Sequence, residues 1–246
     1  MKPKQIERAV VVSDLHIPFH DEQSVNAVLA FLKEFKPSII FLNGDVIDHY
    51  SLSAYDRHPF TKVTLQSEMR DGRKFIEKIV KLAKKVVYVC GNHEYRFTRY
   101  LIRIAPELYG LEGLNLSDQL HLGEMGVELV DTGHKENYIA YGDVVIGHWD
   151  KASAHGGYAA KNLVDHKMVS VIQGHTHKIG MTYRQAIDGR QFIGVEYGCL
   201  CDLRPKWIQT PNWSQGICIL WNDNGVVTPQ VVPIRNHHFI FNGMKW

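Results

Sequence analysis

Hydrophobic and polar positions change rhythm about halfway along this chain. Ala9 to Ser13 is a short apolar run of strand length. Ser24 to Phe35 places Val25, Val28, Leu29, Leu32 and Phe35 at helical spacing, and Lys36-Pro37 stops the pattern. Ser38 to Leu42 is a second buried strand. Gln66 to Lys84 is predicted as an amphipathic helix with Met69, Ile76, Ile79, Val80 and Ala83 on one face, and Val86 to Cys90 as a third strand. Strands apolar on both faces, alternating with helices, predict a sheet covered by helices.

After about residue 125 short strands dominate: Tyr138 to Tyr141, Asp143 to Ile146, Met168 to Gln173, Met181 to Ala186, Gln191 to Val195, Gly216 to Trp221 and Val226 to Val232. Asp188-Gly189 and Asn222 to Gly225 have hairpin-turn composition. Only Tyr158 to His166 reads as a helix in this half. No repeat, low-complexity tract or linker interrupts the chain. The simplest expectation is one domain over residues 1–246, α/β in its first half and β-rich in its second.

Composition narrows this little. The 246 residues are 45% hydrophobic and 22% charged, enough for one sizeable soluble core. A net charge of +2, from 28 basic and 26 acidic residues, gives no general pull toward nucleic acid or an anionic membrane. Cys90, Cys199, Cys201 and Cys218 lack zinc-ribbon spacing and are expected to be reduced, buried thiols of a cytoplasmic protein. The apolar stretch at Ala9 is too short for a signal-peptide core or a membrane span. The 14 histidines do change the picture, because imidazole is the commonest metal-binding side chain.

Potential ligands recur at the ends of predicted strands: Asp14-Leu15-His16, Gly44-Asp45-Val46-Ile47-Asp48, Gly91-Asn92-His93-Glu94, Gly147-His148 and Gly174-His175-Thr176-His177. Ligands of open α/β sheets bind outside the carboxyl ends of the strands. Alternate residues of an extended segment share a side, so D-x-H and H-x-H can each turn two donors to one ion. Any one of these motifs alone is more often a turn or a helix cap. Five in order, each at a strand end, are not.

This ordered set resembles the calcineurin-like metallophosphoesterase superfamily, whose pattern is D-x-H, G-D-x-x-D, G-N-H-[E/D], G-H and G-H-x-H. The blocks run from Asp14 to His177. The resemblance implies an α/β fold, a sandwich of two mixed β-sheets flanked by helices, with two metal ions at one rim. It implies that Asp14, His16 and His177 hold the first ion, that Asn92, His148 and His175 hold the second, and that Asp45 bridges them. A bridging carboxylate lets two dications approach to about 3.5–4 Å and turn a shared water into hydroxide near neutral pH. Imidazole, carboxylate and amide donors suit manganese first, with iron, zinc, cobalt or nickel also compatible.

By the same resemblance His93 is the catalytic group that protonates the leaving oxygen or stabilises the transition state, and Asp48 fixes its orientation and raises its pKa. Protein serine/threonine phosphatases of the superfamily carry arginine after the second Asp of G-D-x-x-D and proline after G-H-T. This chain has His49 and His177 there, so it looks unlike a protein phosphatase and more like the phosphodiesterases and repair nucleases. Glu94 in place of Asp is a weaker clue, because both occur.

On the substrate side, Arg96, Arg99 and Arg103 share one face of a predicted helix over Tyr95 to Ala105, either as a phosphate clamp or as a solvated face. Tyr55, Arg57 and His58 in the loop 49–62, and Trp149, Lys151 and His155, are candidate contacts. Trp207 and Trp213 lie in an irregular stretch, packing over the sheet or stacking on a base. The expected partner is a phosphate ester, with small phosphodiesters, nucleotides and nucleic-acid ends as classes to test. The rival readings are a nuclease of the repair type and a non-catalytic scaffold of the kind seen in the superfamily's degenerate retromer subunit; retention of every ligand and of His93 speaks against the scaffold.

Overall fold

The apolar run at the start of the chain becomes β1 (Glu7–Val12), and the helical pattern after it becomes α1 (Glu22–Phe35). Then follow β2 (Ile39–Asn43), α2 (Leu65–Ile79), β3 (Lys85–Val89), α3 (Tyr95–Ile104), α4 (Leu116–Leu120), β4 (Glu128–Val130), β5 (Asn137–Tyr141) and β6 (Val144–His148). The remainder is α5 (Tyr158–Lys167), β7 (Ser170–Gln173), β8 (Ile179–Gln185), β9 (Gln191–Tyr197), β10 (Gln215–Asp223), β11 (Val226–Ile234), β12 (Ile240–Phe241) and β13 (Met244–Lys245). The computed structural model describes residues 6–55, 61–205 and 211–246. No helix among them is long and apolar enough to cross a membrane.

Two mixed sheets face each other, as expected. One has the order β11-β10-β1-β2-β3-β4 and the other β5-β6-β7-β9-β8, with β12-β13 as a separate hairpin. The strands β1 to β4 are parallel, and β10 and β11 add antiparallel to the free side of β1. In the second sheet β6, β7 and β9 are parallel, with antiparallel strands at both edges.

Alternation along each strand sorts side chains into layers. Val10 and Val12 of β1 turn outward to α1, α2 and α4, whereas Ala9 and Val11 turn inward with Phe41, Val87 and Val89. They meet Val144, Ile146, Ile172, Val195 and Tyr197 of the second sheet, and α5 covers that sheet's outer face with Ala160, Leu163 and Val164. The layers are therefore helix, sheet, sheet, helix.

The element ends differ from the predicted ones for local reasons. Helix α1 begins earlier because the Asp21 carboxylate caps it, accepting from Ser24 N–H at 2.8 Å. Helix α2 stops at Ile79, not Lys84. Leu82 N–H turns back to Ile79 O while Val80, Leu82 and Ala83 still pack on the apolar layer, so burial continues the helical rhythm past the helix itself. Strand β6 runs on through Gly147 and His148, which the sequence placed after it. The hairpin at Asn224-Gly225 has positive φ at both residues, 53° and 93°, as a two-residue turn between twisted strands requires. Strand β4 and the β12-β13 hairpin are too short to register as periodic patterns.

Phe31 is the hub of the outer layer, meeting Phe35, Phe239, Phe241 and Trp246 at centroid distances of 4.8–5.4 Å. These contacts tie the C-terminal hairpin to α1. Phe31→Ala is expected to cost about 3–5 kcal/mol, read as a lower denaturant midpoint, and to release the hairpin first in hydrogen exchange.

Candidate metal centre

The parallel strands bring five carboxyl ends to one rim. Cross-sheet bonds close it: Asn43 Nδ2 donates to Gly147 O at 2.9 Å, and the His148 ring meets Asn43 O at 2.8 Å through Nδ1. All seven expected metal residues arrive there. Asp14 Oδ1 lies 3.1 Å from His177 Nε2 and 3.9 Å from His16 Nε2, and the two Nε2 atoms are 3.1 Å apart. Asp45 Oδ2 lies 3.3 Å from His148 Nε2 and 3.8 Å from His16 Nε2, while Asp45 Oδ1 accepts the His93 N–H at 2.9 Å. Asn92 Oδ1 is 2.8 Å from His175 Nδ1. Asp14, His16 and His177 form one cluster of donor atoms, and Asp45, His148 and His175 form another.

The spacing suits ions. Bonds of about 2.1 Å at 90–110° put neighbouring ligand atoms about 3.0–3.4 Å apart. His148 supplies a further test. Its ring is fully buried, Nδ1 is committed to a carbonyl, and Nε2 makes no well-aligned hydrogen bond among the described residues while facing Asp45 Oδ2 at 3.3 Å and Asp14 Oδ1 at 4.0 Å. A buried nitrogen aimed at two carboxylates is satisfied by a proton or by a dication in the proton's place. The residues fit divalent metal.

Charge is distributed accordingly. Burial works to raise the Asp14 carboxyl, but His177 and His148 outweigh it and bring it down to about 2. Burial works against charge on His148 and His177 too, yet Asp45 and Asp14 lift His148 to about 10, and Asp14 lifts His177 to about 9. Burial and the neighbouring His148 push His175 down to about 4.

The backbone at these positions is unusual. Asp14, His16, Asp45, His175 and His177 all have φ between 51° and 76°, a region that side chains seldom adopt. Gly44, at φ 82°, is obligatory for a second reason: a Cβ there would stand 2.2 Å from His148 Nδ1. At Gly91 a Cβ would meet Asp45 Oδ1 at 2.3 Å.

A second set of side chains aims the first. Asp48 Oδ1 lies 2.9 Å from both His16 Nδ1 and His93 Nδ1, so it orients an expected ligand as well as the expected catalytic group. Asp150 Oδ1 is 3.3 Å from His175 Nε2, which leaves that ring's Nδ1 for the site. Glu94 is fixed by five donors: the N–H groups of Asp45, Val46, Ile47 and Gly91, and the Tyr88 hydroxyl, at 2.7–3.1 Å. The sequence reading missed Asp150 and undervalued Glu94. A carboxylate one residue after His93 was the available signal.

The substrate-side candidates separate. Arg96 is half-buried, with Nη1 on Asp48 O and Nη2 on His93 Nε2, both at 3.0 Å. Arg99 and Arg103 lie exposed further along α3. Trp149 is corrected to a core residue, 1% exposed, because it turns under α5 on the second sheet's outer face. Lys151, His155 and Tyr55 are exposed. Trp213 packs edge-on against His177 at 4.3 Å between centroids. Arg57, His58 and Trp207 lie outside the described residues.

Residues 7–179 match the family model described as calcineurin-like phosphoesterase. The gene 54 proteins of Mycobacterium phages L5 and D29 are 27% and 26% identical to this chain, each alignment covering 98% of both sequences. Among solved structures, Vps29 of Chaetomium thermophilum gives a TM-score of 0.48 at 12% identity, covering 94% of this chain and 92% of its own.

The raised His148 and His177 values predict competition between protons and metal. Chelator-treated protein should hold protons on both rings up to about pH 9, so loading at pH 7.5 should release protons and affinity should fall as pH falls. Calorimetry of metal binding in buffers of different ionisation enthalpy checks this. A binding heat independent of buffer is the contrary result.

Proposed function

We propose that this chain, which belongs to the calcineurin-like phosphoesterase family, hydrolyses phosphodiesters with two divalent ions. Membership and the Asp/His clusters make it a metal-dependent phosphoester hydrolase. We further infer a diester substrate, manganese as the first choice of metal, and a role for each residue. Asp14, His16 and His177 would hold one ion, Asn92, His148 and His175 the other, with Asp45 between them. Divalent ions bound there would supply Lewis acidity toward the phosphoryl oxygens and a water nucleophile at neutral pH.

The diester preference rests on His49. Its ring is fully buried, bonded through Nδ1 to His93 O at 2.9 Å and stacked on Phe97, and burial holds it down to about 4. It therefore offers no fixed positive charge where the superfamily's protein phosphatases carry arginine. A monoester dianion needs such a cation more than a diester monoanion does. Arg96 remains as the guanidinium beside His93. Trp213 adds an aromatic surface beside His177, which favours esters bearing a ring, nucleotides among them.

His93 is the proton donor in this reading. Burial opposes its charge, but Asp45 and Asp48 raise its pKa above that of a free imidazole. Its Nδ1–H is held by Asp48, which leaves Nε2 to face the reacting ester. Arg96 covers that nitrogen. Incoming phosphate would draw the guanidinium onto its own oxygens and free the Nε2 lone pair, which would then take up a proton from water and pass it to the departing alkoxide.

Two outcomes follow. With added manganese, kcat/KM for bis(p-nitrophenyl) phosphate should exceed that for p-nitrophenyl phosphate and for phosphoserine peptides, and the reverse order would discard the diester reading. His93→Asn should keep its metal yet slow hydrolysis by roughly 10²–10⁴-fold for an alkoxide leaving group, with a smaller loss for p-nitrophenolate. Equal losses on both esters would move His93 from the leaving group to the phosphoryl group; lost metal would make it structural.

A further inference from the structure

We propose that Cys199, Cys201 and His177 form a third cation site, bound through thiolates, on the side of His177 turned away from Asp14 and His16. Beyond β9 the chain bends at Gly198, at φ 94°, and places both cysteines behind the metal rim. The backbone there is pinned. Cys199 N–H donates to Ser214 O at 3.0 Å, Leu200 N–H to Asp14 O at 3.2 Å, and Gln215 Nε2 to Cys201 O at 2.9 Å. Both thiols are buried, at 0% and 3% exposure.

Three donor atoms of the kind that bind soft cations converge here. One sulfur from each cysteine and a ring nitrogen of His177 all lie within 4.8 Å of one another. Cys201 Sγ stands 3.6 Å from His177 Nδ1. A tetrahedral ion with bonds of about 2.3 Å to sulfur and 2.0–2.1 Å to nitrogen sets those two atoms about 3.5 Å apart. The usual outer partner of a metal-binding imidazole is a carboxylate or carbonyl oxygen. Here the outer nitrogen of His177 meets sulfur instead, while its Nε2 faces Asp14.

Two thiolates and an imidazole select a soft or borderline dication such as zinc or cadmium, unlike the carboxylate, amide and imidazole set on the other side of the ring. Binding exchanges the two S–H protons and the Nδ1 proton for one dication, and the protons leave to solvent. His177 would then bridge two ions. Packing alone accounts for buried cysteines, as it does for Cys90 and Cys218, which join no such donor cluster among the described residues.

Cadmium titration of reduced, chelator-treated full-length protein tests this. A thiolate-to-cadmium charge-transfer band should rise and saturate, and the Cys199→Ser/Cys201→Ser variant should lose the band and one bound ion. Cys90→Ser and Cys218→Ser should keep both. Three results overturn the proposal: no band in the wild type, a band that survives the double substitution, or a band with equal stoichiometry in both proteins. If the double variant does not fold, cadmium NMR of the wild type decides. A sulfur-shifted resonance distinct from the nitrogen- and oxygen-bound ions supports the site, and its absence removes it. No substrate is involved, so failure here leaves the phosphodiesterase reading untouched.

Discussion

A carboxylate sealed from water must be matched by donors or it gives up its charge. Glu94 is sealed, and burial together with Asp45 raises its pKa, yet four backbone N–H groups and one hydroxyl converge on its two oxygens. Those N–H groups belong to the turns after β2 and β3, so one side chain welds two ligand-bearing turns into a single body. Position follows from that weld. Asp45 is held from its own backbone, His93 N–H then fixes Asp45 Oδ1, and the other carboxylate oxygen is left facing three histidines. Hydrogen bonds to charged groups are worth about 1.5–3 kcal/mol each, which is of the order needed to hold such turns.

The same turns carry the backbone strain. Left-handed φ at a residue other than glycine costs about 1–2 kcal/mol, and five ligand residues adopt it. The strain is offset locally: Asp14 N–H donates to Gly44 O, His16 N–H to Asp45 O and His175 N–H to the Asp14 carboxylate, at 2.9–3.2 Å. The donors are therefore aimed by protein contacts. Charge supports this, since Asp14 and Asp45 stay ionised and set the protonation of His148 and His177.

How much was legible in the sequence depended on the range of the interaction. The five ligand blocks and the alternating strands were readable because periodicity and glycine-led turns are local. Helix α2 was overextended because Val80, Leu82 and Ala83 stay half-buried against the core after the helix has ended. Trp149 was taken for a substrate contact because no local signal tells which face a residue just past β6 will turn to. Asp48 was expected to hold one histidine and holds two, because His16 comes from another strand. Asp150 and Glu94 act on groups set by the pairing of distant segments. The contact between Cys201 and His177 likewise depends on β9 returning beside β7.

Strand β1 lies inside its sheet, between β2 and β10. Ribosomes deliver the chain from its N-terminus at about 5–20 residues per second. The strand that covers the second edge of β1 is therefore synthesised some 10–40 s after it, on that estimate. Throughout that interval a strand reading Ala9-Val10-Val11-Val12 has an open row of backbone donors and acceptors, the kind of edge that templates pairing between chains. Truncation before β10 leaves that edge uncovered permanently, so shortened or stalled products of this chain should aggregate and engage chaperones even though every metal-binding block, from Asp14 to His177, has already been made.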